Sequence, residues 1–191
     1  MLYLIDACSL ITVHRNYYSP DMVPEFWPWL EFQARKGACK IPPMIFAEIK
    51  PKDEHFKEWL ARNKKDLILG QDEKTEFVRQ VITEGYGGNL TDADLEQVGG
   101  DPFLIASALE DPKHRSVVTE ETSKPNAQGA NRKIPDICKD LQVRCINTLS
   151  FIKTLNFKTN WKDEISKSDL KRYSGSSPFA PSLFNEPSSN N

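Results

Sequence analysis

The chain has 191 residues, enough for one good-sized domain with a tail and too few for a second full one. Lys and Arg number 25 against 27 Asp and Glu, a net charge of -2, so no overall cationic field announces nucleic acid, and no stretch approaches the ~18 apolar residues of a membrane span. The cysteines Cys8, Cys39, Cys138 and Cys145 form no CxxC pair and no ligand spacing with His14, His55 or His114, which excludes a zinc framework and predicts buried free thiols in a reduced, cytoplasmic protein without a secretory leader.

Leu2 to Ile5 is a predicted buried strand that stops at Asp6, and Ser9 to about Tyr17 a helix capped by Ser9. In SPDMVPEFWPWLEFQARKG, Phe26, Trp27, Leu30 and Ala34 recur at helical spacing, Gly37 supplies the stop, and Pro24 or Pro28 belongs near the first turn. ACKI is a minimal strand and PPMIFAEIK a short helix with Glu48 near its end. Glu54 to Lys64 is amphipathic, with Phe56, Trp59 and Leu60 inward; a brief extended LIL and a further helix to GYGGN follow. Thr91 or Asp92 caps a short segment to Val98, and Asp101 opens the helix of GGDPFLIASALED. SVVTEE and VRCINT are predicted strands, IPDICKDL and LSFIKTL helices.

Strands that alternate with helices imply an α/β fold, a three-layer α/β/α sandwich around a central, mainly parallel sheet, over residues 1–156. Residues 157–191, rich in Ser, Pro and Asn, are expected to form a mobile tail, with Phe179 and Phe184 as possible docking points.

In such a sheet ligands bind beyond the carboxyl ends of the strands. Asp6 lies at one such end, Glu121 follows another, Glu48 sits on the helix after ACKI, and Asp101 heads the helix before SVVTEE. Carboxylates crowded together repel unless a cation compensates, and magnesium or manganese, which take oxygen ligands and bridge to phosphate, meets that need. Each acid also has an ordinary reading. With 27 acids in 191 positions single matches are cheap, Asp101 before Pro102 is also a plain N-cap, Glu48 a plain solvated residue, and Glu120 and Asp136 compete with Glu121.

The segments YLIDACSLI, FAEI, GGDPFLIASAL and VVTEE resemble the opening strand and aspartate, the helical glutamate, the aspartate-led helix and the threonine-containing strand end of the PIN-domain superfamily, the fold of the VapC-like ribonucleases. YYSPDMVPEFWPWL, DPFLIASAL and NRKIPDICKDL are similar to a PIN-like bacterial family described as a domain of unknown function. The resemblance implies a magnesium-dependent endoribonuclease in which Asp6, Glu48, Asp101 and Glu121 are metal-site acids and Thr119 the hydroxyl beside the fourth. It further implies an RNA substrate and a toxin role with a cognate antitoxin, and leaves a homodimer open. Cys8 stands where the family carries Ser or Asn, and Glu121 where it carries Asp.

Arg132 and Lys133, with Asn131, are candidates for RNA phosphates, set against a plain solvated loop, and Trp27 and Trp29 for stacking on bases, set against burial of at least Trp27. A haloacid-dehalogenase-type phosphatase is disfavoured because Cys8 occupies the place of its second aspartate, and GYGGNL fails GxGxxG at Leu90. The alternative of another class is a PIN-like scaffold that binds RNA or protein without cutting.

Overall fold

The computed structural model describes residues 1–71 and 73–169. Four strands, β1 (Leu2–Ile5), β2 (Cys39–Lys40), β3 (Arg115–Val118) and β4 (Arg144–Ile146), pair in parallel in the order β2-β1-β3-β4. The helices are α1 (Ala7–Thr12), α2 (Phe26–Arg35), α3 (Pro43–Glu48), α4 (Glu54–Leu67), α5 (Thr75–Gln80), α6 (Asp92–Val98), α7 (Asp101–Leu109), α8 (Ile134–Asp140) and α9 (Thr148–Thr154). Helices α1 and α5 each run on into a wider π-type turn, Val13–Tyr17 and Val81–Gly85.

The β1 strand can be buried on both faces because it is LYLI with no polar alternation, and β3 ends in Ser116, Val117 and Val118, all of them buried. One face of the sheet is covered by α1, α2 and α9, where Tyr3 meets the edge of Phe151 and Phe26 lies against Trp27 and Trp29. The other is covered by α7, with α5 and α8 beside it. The result is the expected α/β sandwich. Because the chain leaves β1 toward β2 and then returns past β1 to β3, strand order reverses between β1 and β3, and a crevice opens there at the carboxyl edge.

Several local expectations are corrected. Helix α1 starts at Ala7, two residues before Ser9, and the N-cap position belongs to Asp6; Ser9 is buried, and its hydroxyl donates to the Val118 carbonyl at 3.3 Å. Trp29 is as buried as Trp27, at 1 and 0 % exposure, so neither ring can receive a base. Periodicity missed Trp29 because the whole of α2 from Phe26 to Ala34, Pro28 apart, is wrapped by α4, α9 and the segment after it. Asp101 is the first helical residue of α7 and not its cap, which is Gly100. Packing also continues past residue 156: Phe157 lies against Phe26, and Trp161, 4 % exposed, donates its indole N–H to the Glu25 carbonyl. Phe179 and Phe184 lie outside the described residues.

Candidate active site

Register builds the site. Ile5 pairs with Val118 and Val118 with Ile146, so Asp6, Thr119 and Asn147 emerge in one row at the carboxyl edge. The row is pinned by the backbone, with Asp6 N–H donating to Val118 O at 3.0 Å and Thr119 N–H to Ile146 O at 3.1 Å. Helix α7 descends antiparallel to the strands it precedes, which puts its first residue, Asp101, at that same edge.

Asp6 is 6 % exposed, and its Oδ2 accepts from the Cys8 thiol at 2.6 Å and from the Thr119 hydroxyl at 2.8 Å. Burial raises the Asp6 acid above the usual carboxylate range; the two hydrogen bonds oppose this, and the charge of Glu121 adds to it. Burial and the adjacent Asp6 push the Cys8 thiol up to about 12, so it stays protonated and serves as a donor in place of a hydroxyl. Thr119 Oγ1 also accepts from the Glu121 N–H at 3.2 Å, joining the first acid to the strand that carries the last.

Glu48 reaches the edge from the end of α3. Its Oε1 accepts the Gly100 N–H at 2.7 Å, one residue before Asp101. The carboxylate can come this close because residues 99 and 100 lack side chains: a Cβ on either would lie 2.9 Å from that oxygen, and Gly99 has φ +51°. The Glu48 acid is raised by partial burial, with the Gly100 bond opposing and the charge of Asp6 adding.

Asp101 is where these charges meet. Burial pushes its acid up to about 8, reinforced by Asp6, Glu121 and Glu48 in that order and opposed by Lys133. Four acids distant in the chain therefore share one field. They do not converge on a point: among the described residues no three His, Cys, Asp or Glu side chains are grouped so as to hold a metal ion. Part of the reason is visible in Glu121, whose Oε1 accepts from Lys133 at 2.7 Å and whose Oε2 accepts from the Ile134 N–H at 2.9 Å. Asp6, Glu48 and Asp101 give the edge a negative field and oxygen donors, the charge and ligand type that a hard cation takes, while Glu121 is engaged with the start of α8.

The competing acids go elsewhere. Glu120 accepts from Tyr17 and from the Thr148 N–H, while Asp136 accepts from Ser123 and the Lys124 N–H. The basic candidates are tied internally: Arg132 bonds the Gly85 carbonyl and Asp140, Lys133 bonds Glu121, and Asn131 accepts from Gln97 at 3.2 Å. Sequence reasoning missed Tyr86, 3 % exposed, whose hydroxyl finds no hydrogen-bond partner among the described residues. Burial raises its phenol, and the charges of Asp101 and Glu121 add to this, so the ring belongs to the same crevice wall. No spacing in GYGGN signals that placement.

The two donors on Asp6 give a direct test. Should a cation occupy the crevice, Thr119→Val, which removes a donor at nearly constant shape, would weaken manganese binding about 10- to 100-fold, the usual cost of losing a group that orients a ligand. Cys8→Ser keeps a donor and should change it little. Both are read from the rise in melting temperature on adding manganese.

A model of a family described as a domain of unknown function (DUF4411) matches residues 3–159, a span that contains all four acids and all of the sheet but Leu2. No curated protein and no solved structure matches the chain.

Proposed function

The chain belongs to the DUF4411 family, and we propose from its acidic crevice that it is a divalent-cation-dependent ribonuclease of PIN-like fold. One observation carries this reading: burial and three neighbouring carboxylates push Asp101 up to about 8, a cost that a cation in the crevice relieves. Asp6, Glu48 and Asp101 would hold magnesium or manganese, hard ions that match an all-oxygen set. Such an ion, when bound, supplies a water of lowered pKa and neutralises charge on the phosphate oxygens.

The protein's own part is positioning. Thr119 and Cys8 fix the Asp6 carboxylate from one side, and the Gly99-Gly100 turn lets Glu48 approach from the other. Glu121 holds the ammonium of Lys133 within the field of Asp101, where its charge offsets part of the repulsion among the acids. Base-specific contact is left to the substrate-facing rim, since the tryptophans of α2 are internal. As with the VapC-like proteins the sequence resembles, the activity is proposed to be that of a toxin held by a cognate antitoxin.

A second reading, a non-cleaving scaffold for RNA or protein, is favoured by the engagement of both Glu121 oxygens. The two separate on incubating the protein and an Asp6→Asn, Asp101→Asn double variant with structured RNA and magnesium, with chelator controls. Cleavage by the unmodified protein alone, with manganese able to replace magnesium, is the expected result. Equal activity in both preparations rejects the site, and binding of several RNAs without cutting favours the scaffold.

A further inference from the structure

Between α1 with its π-type turn and the loop that joins α3 to α4 lies a cavity of about 300 Å³ lined by Ile11, His14, Arg15, Pro51, Lys52, Asp53 and Phe56. Its two walls belong to the elements that carry Asp6 and Glu48: α1 begins directly after Asp6, and Pro51 follows Glu48 by three residues. The volume lies at the small end of ligand pockets, about the size a single nucleotide needs.

The lining divides by chemistry. The half-buried Ile11 and Pro51 and the His14 ring make the floor, and His14 in turn stacks on Phe56, itself 2 % exposed, with centroids 4.3 Å apart and planes 13° apart. Arg15 and Lys52 are exposed, and among the described residues neither forms a salt bridge. The one carboxylate in the lining, Asp53, turns its Oδ1 to the Phe56 N–H at 2.7 Å as the N-cap of α4 and to His14 at 3.6 Å. An apolar floor under two uncommitted cations suits a base or ribose below and a phosphate at the mouth.

We propose that this cavity is a nucleotide subsite of the RNA path, in which Arg15 and Lys52 hold a phosphate and the half-buried Ile11, Pro51 and His14 ring carry the nucleoside, on the segments that lead away from Asp6 and Glu48. The inference rests on the ribonuclease reading for its substrate class. It differs from the sequence expectation, which placed the phosphate contacts at Arg132 and Lys133. Those cations are consumed by Asp140, Gly85 and Glu121, whereas Arg15 and Lys52 are not.

The test is an anisotropy titration of a short fluorescein-labelled oligouridylate in EDTA over a salt series, so that binding is read without cleavage. An Arg15→Ala, Lys52→Ala variant should bind roughly tenfold or more weakly, in line with the loss of charge-assisted hydrogen bonds. Its plot of log affinity against log salt should be shallower by about 0.7, the slope of one lost single-strand phosphate contact. Arg15→Lys with Lys52→Arg should keep the slope. Lys64→Ala with Lys65→Ala is the control, an exposed basic pair in the last turn of the 14-residue α4, about 15 Å along its axis from Glu54. Undiminished binding in the first variant, or equal losses in the first and the control, overturns the subsite. Binding that depends on Arg15 and Lys52 in a protein that cuts no RNA leaves the subsite standing and removes the ribonuclease reading; cleavage that needs Asp101 and ignores Arg15 and Lys52 does the reverse.

Discussion

Asp101→Asn will make the cation-free protein more stable, by a margin that grows with pH, and on the proposed ribonuclease reading it will also abolish cleavage. In the folded protein the acid is raised from 3.8 to about 8. Below the lower value both folded and unfolded chains carry the proton, and the group contributes nothing. Between the two values the unfolded chain releases its proton while the folded one retains it, so ionisation favours unfolding and stability falls as pH rises. Above about 8 both states are ionised and the penalty stays constant. Asparagine has no such titration. The gap between the variant and the native protein should therefore widen by ~1.4 kcal/mol per pH unit at most across that window, and reach several kcal/mol. A cation reverses the order. Ligation needs the ionised carboxylate, so saturating manganese, at 100 times its dissociation constant, should add about 2.7 kcal/mol to the native protein and much less to the variant. Urea unfolding in EDTA and in manganese, at acid and at mildly alkaline pH, measures all four corners. A variant less stable than the native protein in EDTA at alkaline pH would refute the account of Asp101 as an acid burdened by its neighbours.

Gly100→Ala is the second large effect, and it should act on the site more than on the fold. The new methyl would lie 2.9 Å from Glu48 Oε1 and 2.9 Å from Ile45 Cδ1. The backbone at this residue is helical, with φ -80°, so alanine brings no conformational strain of its own. The flexible Glu48 can swing away, but Ile45 is buried in the core, and the overpacking there should cost ~1–3 kcal/mol. Once displaced, Glu48 loses its bond to the Gly100 N–H and its place opposite Asp6. Cleavage should fall about 100-fold, a loss of roughly 2.7 kcal/mol in the transition state, with manganese affinity falling alongside it. Comparison with Glu48→Gln distinguishes the causes. If glycine matters because it admits the carboxylate, the double variant will be little worse than either single one; full additivity would mean that the two positions act independently.

Why Glu48 was legible as an acid while its glycine cradle was not shows how the two kinds of information divide. The strands are read from uninterrupted apolar runs, α4 from the spacing of Phe56, Trp59 and Leu60, and α7 from Asp101 and Pro102 at its start, because those signals depend on a few consecutive residues. Asp6, Glu48, Asp101 and Glu121 are legible for the same reason: each stands at the end of an element that local pattern delimits. The parallel order β2-β1-β3-β4, the register that aligns Asp6 with Thr119, and the contact of Gly100 with Glu48 across 52 residues all depend on how distant segments close on one another. Local composition carries no record of that closure. The same holds for cations and rings. Arg132 and Lys133 looked available until folding brought Asp140 and Glu121 to them, and Trp29 and Trp161 became core only when α9, Phe157 and Phe32 packed around them. The linear chain determined which residues could carry charge and where elements begin and end; the tertiary structure decided which charges are left unpaired, because pairing and burial are properties of neighbours in space.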